Sequence, residues 1–149
     1  MSKRCVSENV IRTVRSLAES VGFDLSDIYR STKDAITRGY FEAMVFTDFG
    51  GDSDIPDEAK FSQELVDSSR ADLKEFERLL DDLGLVDRVI ESNMPLDHVG
   101  NDFWLTRNHH GAGFWDGDYP EDLEKAFMGI VKNFGEVNLY VGDDGLVYL

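Results

Sequence analysis

Apolar positions in the first half of the chain recur at helical spacing. Val10, Ile11, Val14, Leu17, Ala18 and Val21 form one stripe, with Ser7 placed to cap a helix through about Ser20 and Gly22 to end it. A second helix is expected from about Thr32 to Phe46, with Ile36, Tyr40, Phe41, Met44 and Val45 facing inward. Thr47 to Asp54 has loop composition. Pro56, Asp57 and Glu58 suit a first helical turn, and Phe61, Leu65, Leu73, Phe76, Leu80 and Leu83 then sustain a helix to Gly84, with a possible break at Ser68-Ser69. Leu85 to Ile90 adds a short helical turn, and Met94-Pro95-Leu96 marks the end of the helical half.

The period then changes. Asp102-Phe103-Trp104-Leu105-Thr106-Arg107 is rich in strand formers, Gly113-Phe114-Trp115-Asp116 is a second short strand, and Asn108-His109-His110-Gly111 is the turn between them. In that hairpin Trp104 faces Trp115 and Leu105 faces Phe114. Pro120-Glu121-Asp122 opens an amphipathic helix through about Asn133, with Leu123, Phe127, Ile130, Val131 and Phe134 inward and Gly135 as its cap. Val137 to Val141 and Leu146 to Leu149 read as strands joined by an Asp144-Gly145 turn. The expectation is an α+β fold: a helical N-terminal half, then β-β-α-β-β with a small antiparallel sheet and helices on one face.

Composition narrows the class. The 149 residues are 42% hydrophobic, enough for the core of one domain. No apolar run reaches the roughly 18 residues of a membrane span, and polar residues follow Met1 to Cys5, so a cytoplasmic location with no membrane partner is expected. Cys5 is the single cysteine, which excludes an internal disulfide and a four-cysteine zinc site. Charge is uneven. Residues 1–45 carry seven basic and six acidic side chains, whereas residues 46–149 carry eight basic and 24 acidic ones. Such a surface repels nucleic acid and attracts basic proteins, including those that bind nucleic acid; it also serves solubility alone.

The segment from Asp102 to Asp116, DFWLTRNHHGAGFWD, resembles a family of small uncharacterised proteins encoded by bacteriophages, prophages and plasmids, whose form reads D-F-W-L-T-R-N-G-H-G-A-G-F-W-D. Leu139 to Gly145 is similar to the same family, and the resemblance runs from about Tyr40 to the end. It implies a main domain at 40–149 with residues 1–39 as a helical extension packed on it, and a mobile-element protein acting in the cytoplasm of a bacterial host. No activity comes with it. His109 stands where the family has glycine; if that glycine needs a positive φ, the turn here must hold a histidine in that conformation.

Candidate chemistry clusters in this motif: Asp102, Phe103, Trp104, Arg107, Asn108, His110, Gly111, Gly113 and Trp115. His98, His109 and His110 with Asp102, Asp116 and Asp118 lack an established metal-ligand spacing, so no metal is expected. Gly111 and Gly113 have no following lysine for a phosphate loop, and no cofactor is expected. Two readings follow. The first is a non-catalytic acidic binding protein that imitates the charge of DNA and blocks or modulates a host defence or DNA-binding protein. It would use Asp116, Asp118, Glu121, Asp122, Glu124, Asp143 and Asp144. The second is a small enzyme or ligand-binding domain centred on Arg107, His110 and Asp116 in the tryptophan hairpin.

Overall fold

The structure is a computed structural model and describes residues 32–149. The helix expected at Ser7 to Ser20 and its Gly22 stop lie outside the described residues. The elements are α1 (Thr32–Asp48), β1 (Lys60–Phe61), α2 (Gln63–Asp82), α3 (Leu85–Glu91), α4 (Leu96–Arg107), α5 (Glu121–Val131), β2 (Tyr140–Val141) and β3 (Leu146–Tyr148). The fold is α+β and mostly helical, with a three-stranded sheet in the order β1-β3-β2. No helix of the described residues is long and apolar enough to cross a membrane.

Among the described residues α1 and α4 form the most extensive helix pair. Two glycines make that approach possible. A Cβ on Gly39 would lie 2.0 Å from the Asp97 carbonyl oxygen, and one on Gly100 would lie 1.8 Å from the Ile36 carbonyl oxygen. The helices therefore meet backbone to backbone, closer than any side chain permits. α1 runs without interruption through residues 39 and 40, the boundary expected between extension and main domain. Around the pair, Phe103 stacks on Phe76 of α2 at 4.1 Å, and Phe114 stacks on Phe127 of α5 at 4.4 Å.

The first expected hairpin does not form. Residues 102–107 are the last turns of α4, and Gly113 to Asp116 is loop. Pro95 is the N-cap of this helix, so Met94-Pro95-Leu96 opens a helix instead of ending the helical half. The physical reason is burial. Every residue from Val99 to Arg107 is buried, so α4 is covered on all sides and shows neither an exposed polar stripe nor strand alternation. Aromatic strand propensity is weak beside this packing.

Other boundaries move for local reasons. Pro56 to Ala59 is a turn, with Ala59 N–H donating to the Pro56 carbonyl, and not a first helical turn. Ser62 is the true N-cap of α2, its Oγ accepting the Leu65 N–H at 3.0 Å. α2 passes through Ser68-Ser69 unbroken, with Ser69 buried on its inner face. At the end of α5 the C-cap is Lys132, and Gly135 lies beyond it. The sheet is mixed, because β1 pairs with β3 in parallel, Phe61 opposite Val147. The C-terminal hairpin forms, with Tyr140 opposite Tyr148 and Val141 opposite Val147, but its first strand starts at Tyr140 and not at the expected Val137. Its loop has three residues, Asp143-Asp144-Gly145: Gly142 N–H reaches the Leu146 carbonyl at 2.8 Å, and Gly145 has φ 81°.

The end of α4 explains position 109. Asn108 is the C-cap and His109 follows with φ 57°. His110 N–H donates to the Leu105 carbonyl at 2.9 Å and His109 N–H to the Thr106 carbonyl at 3.2 Å. These two bonds define a Schellman motif, whose left-handed position favours glycine. Replacing His109 with glycine is expected to raise the unfolding free energy by several tenths to about 1 kcal/mol in urea denaturation. The substitution also removes the approach of His109 to Glu136 at 3.4 Å, but both side chains are exposed there and their pairing is worth little. A destabilised variant would show that the histidine contributes more than its backbone costs.

Candidate binding surface

The motif residues are mostly inside the molecule. Arg107 has a side chain only 4% exposed. Its Nε donates to the Gly135 carbonyl at 2.8 Å, and its Nη1 lies 3.0 Å from Tyr40 Oη and 2.9 Å from Asp72 Oδ2. The guanidinium also sits over the Phe103 and Phe134 rings, at 5.2 and 5.6 Å. Burial pushes the Tyr40 phenol up to about 12, against the opposing Arg107 charge, so Tyr40 stays neutral in this cluster.

The rest of the motif fastens other segments to α4. Tyr119 Oη donates to Asp102 Oδ2 at 2.9 Å, and Trp104 Nε1 donates to Thr47 Oγ1 at 2.8 Å. Phe114 N–H donates to Thr106 Oγ1 at 3.1 Å, and Val137 N–H donates to Asn108 Oδ1 at 2.8 Å. A Cβ on Gly113 would lie 2.5 Å from Thr106 Oγ1, so this glycine lets the loop close on the helix. The signal that singled these residues out is a scaffold signal: one buried helix whose polar side chains tie down α1, α2 and residues 113–137.

Arg107, His110 and Asp116 do not form one constellation. Arg107 is engaged by Asp72, which sequence reasoning missed because it stands 35 positions away. His110 Nε2 lies 3.7 Å from Asp48 Oδ1. Asp116 is exposed and meets the Gly113 N–H at 3.4 Å. Trp115 is 46% exposed, whereas Trp104 is fully buried, so the two tryptophans do not face each other. Gly111 is exposed, with open space where a side chain would stand. Among the described residues no group of three or more His, Cys, Asp or Glu side chains is placed to hold a metal ion.

The acidic residues divide. Asp122 pairs with Arg88 at 2.8 Å and Glu121 with Lys125 at 3.0 Å, so two acids of the 116–124 run meet cations of the same molecule. The Arg88 hydrogen bond holds the Asp122 carboxyl below its ordinary range. Asp143 and Asp144 instead border a shallow cleft of about 340 Å³ with Glu64, Tyr140, Gly142 and Tyr148. None of residues 116–124 lines it. Tyr140 stacks on Tyr148 at 5.8 Å, and Tyr148 Oη donates to Asp144 Oδ2 at 2.6 Å. That hydrogen bond, with the Leu146 N–H at 3.0 Å from Oδ1, lowers the Asp144 carboxyl and keeps it ionised. The same carboxylate raises the Tyr148 phenol. The tyrosine pair could have been found from the Asp144-Gly145 turn, but Glu64 comes from α2 and had no local signal.

β2 is an outer strand of the sheet. Gly142 bonds to Leu146, so in the antiparallel alternation Val141 opposite Val147 is a non-hydrogen-bonded pair. The N–H and C=O of Val141 therefore point away from β3, along an edge that is open among the described residues. Tyr140 and Val141 are both exposed on it.

One buried acid lies apart from this surface, at the α1–α4 crossing. Glu42 is buried, with Arg38 Nε 3.2 Å from its Oε1, and Arg38 Nη2 is 3.0 Å from Asp97 Oδ2. Burial pushes the Glu42 carboxyl from 4.5 up to about 7; Arg38 opposes the shift and Asp97 adds to it. The folded protein thus holds this proton more tightly than the unfolded chain. Its contribution to stability is full below pH 4.5 and is lost as pH rises to about 7. Glu42→Gln is expected to remove that decline, which is at most about 1.4 kcal/mol per pH unit. Denaturation at a series of pH values checks it: parallel curves for the two proteins would contradict the assignment.

Comparisons with family models, with curated proteins and with solved structures return no match for this chain.

Proposed function

We propose that this protein is a non-catalytic acidic binding protein that takes an extended basic segment of a partner along the β2 edge. The observation that carries this reading is the edge of β2 left open among the described residues, with the exposed Tyr140, its ring partner Tyr148 and the carboxylates of Glu64, Asp143 and Asp144 beside it. An added strand would hydrogen-bond to the Val141 backbone. Its lysine or arginine side chains would meet the carboxylates and lie over the tyrosine rings. On the resemblance of residues 102–116 to mobile-element proteins, the partner is a host defence or DNA-binding protein with a basic surface, which the protein blocks or modulates. The catalytic alternative on Arg107, His110 and Asp116 has no comparable support, since the hairpin that would assemble it is absent.

Fluorescence polarisation with a labelled peptide of alternating arginine and valine tests the reading. Binding is expected at low salt and should weaken by about tenfold or more in roughly 0.5 M salt. Asp143→Lys with Asp144→Lys should abolish it. Val141→Pro, which removes the outward N–H, should weaken it while leaving the charge unchanged. Glu121→Gln with Asp122→Asn should leave it as it was. Equal loss in all variants, or none in any, means that general acidity alone attracts the peptide and the edge is not the site.

A further inference from the structure

We infer that the β2 edge selects arginine over lysine at one position of the segment it binds, the residue level with Gly142. This inference rests on the reading of β2 as the binding edge and names the side chain that the edge prefers. Side chains alternate between the two faces of a strand, and residues level with one another on neighbouring strands share a face. Tyr140 is opposite Tyr148 and Val141 is opposite Val147, so Tyr140, Gly142 and Tyr148 lie on one face and the two valines on the other. The cleft of about 340 Å³ is on the tyrosine face, since Tyr140, Gly142 and Tyr148 line it and neither valine does. An added strand that bonds to the Val141 backbone therefore sets one residue level with Val141, facing away from the cleft. Its two neighbours stand level with Tyr140 and Gly142, on the cleft side.

Gly142 makes its position different from that of Tyr140. It has no side chain, and a Cβ there would lie 2.7 Å from the Tyr148 ring, so that ring takes the space over the glycine. A partner side chain level with Gly142 thus runs along the tyrosine rings, which stand 5.8 Å apart and are inclined by 23°. It ends among three carboxylates, Glu64, Asp143 and Asp144, with no basic residue in the lining. The oxygens of Asp144 already accept the Tyr148 hydroxyl and the Leu146 N–H. Glu64 and Asp143 make no ion pair among the described residues and are left as acceptors. A guanidinium meets both demands at once, because its flat face stacks on a ring while its forked N–H groups bond a carboxylate. An ammonium carries the same charge but is compact and strongly hydrated, and gains only the charge attraction. Gly142 occurs once on the edge, so one arginine is selected.

Competition in fluorescence polarisation tests this with a reference peptide of alternating lysine and valine. Replacing one lysine by arginine keeps the charge and is expected to tighten binding by about tenfold, with a second arginine adding less than about twofold. Citrulline at that place has the shape of arginine without its charge, and should weaken binding. Tyr140→Leu changes an exposed side chain and should keep the parent far-ultraviolet circular dichroism. It should remove the arginine gain while binding of the lysine peptide persists. Glu64→Gln with Asp143→Asn should weaken the arginine peptide more than the lysine one. A gain that survives Tyr140→Leu, or that repeats with every arginine added, overturns the cleft as the selecting element. Equal affinity for the lysine and single-arginine peptides, both weakened by Val141→Pro, overturns arginine selection and leaves the edge as the binding site. Peptides that all ignore Val141→Pro remove the edge reading, and this inference with it.

Discussion

Gly100→Ala is expected to lower the unfolding free energy by about 3 kcal/mol, the upper part of the range for overpacked cores. Two effects oppose each other at this position. Helix propensity favours alanine over an interior glycine by roughly 1 kcal/mol. The new methyl group, however, would stand 1.8 Å from the Ile36 carbonyl oxygen and 2.7 Å from the Tyr40 nitrogen. Both are backbone atoms of α1, so no rotamer change relieves the clash and the two helices must separate. The steric effect wins because separation also loosens Tyr40, Trp104 and the Trp104–Thr47 hydrogen bond. Gly39→Ala, with its methyl 2.0 Å from the Asp97 carbonyl oxygen, should behave similarly. Gly129 is the matched control. It lies in α5 with open space where a methyl group would stand, so Gly129→Ala should stabilise by about 0.5–1 kcal/mol. Urea midpoints of the three variants decide the matter. A Gly100→Ala protein as stable as the parent would mean that α1 and α4 do not approach this closely.

Arg107→Met is expected to cost about 2–4 kcal/mol, because it leaves acceptors at a buried site without their donor. Methionine fills comparable space but leaves the Tyr40 hydroxyl, the Gly135 carbonyl and the Asp72 carboxylate without their shared donor. Lysine should not restore the loss. It keeps the charge but has no planar fork to reach three acceptors, and it loses the stacked geometry over Phe103 and Phe134. Asp72→Asn should cost less than Arg107→Met, because the Asp72 side chain is 38% exposed and water replaces part of the missing interaction. If Arg107→Met instead retained full stability and lost a binding activity, the arginine would be a ligand-holding group and not the fastening of α4 to α1, α2 and the C-terminal segment.

Much of the fold was legible along the chain where one face of an element meets the core and the other meets water. The helices at Thr32–Asp48, Gln63–Asp82, Leu85–Glu91 and Glu121–Val131 have apolar stripes that repeat at their own period, and the C-terminal hairpin carries its turn residues with it. The left-handed backbone at His109 was legible as a condition on one turn. The short strand β1 was not, because two residues have no period and exist as a strand only where Val147 lies beside them. The same holds for Glu64 beside Asp143 and Asp144, and for Asp72 beside Arg107, which are set by how α2 lies against elements far along the chain.

α4 marks the division between the two kinds of information. The resemblance, with its cluster of charged, aromatic and glycine positions, singled out Asp102 to Asp116 as the distinctive part of this sequence. The shape those residues take was decided elsewhere. A segment buried on every side has lost the alternation of wet and dry positions from which period is read, so its helix was set by Gly39 and Gly100 meeting across α1 and by partners for Asp102, Trp104 and Arg107 on other elements. Local sequence determined which segments are amphipathic; only long-range packing decided that the motif is an internal fastening, and that Glu64 lies beside Asp143 and Asp144 at the end of the sheet.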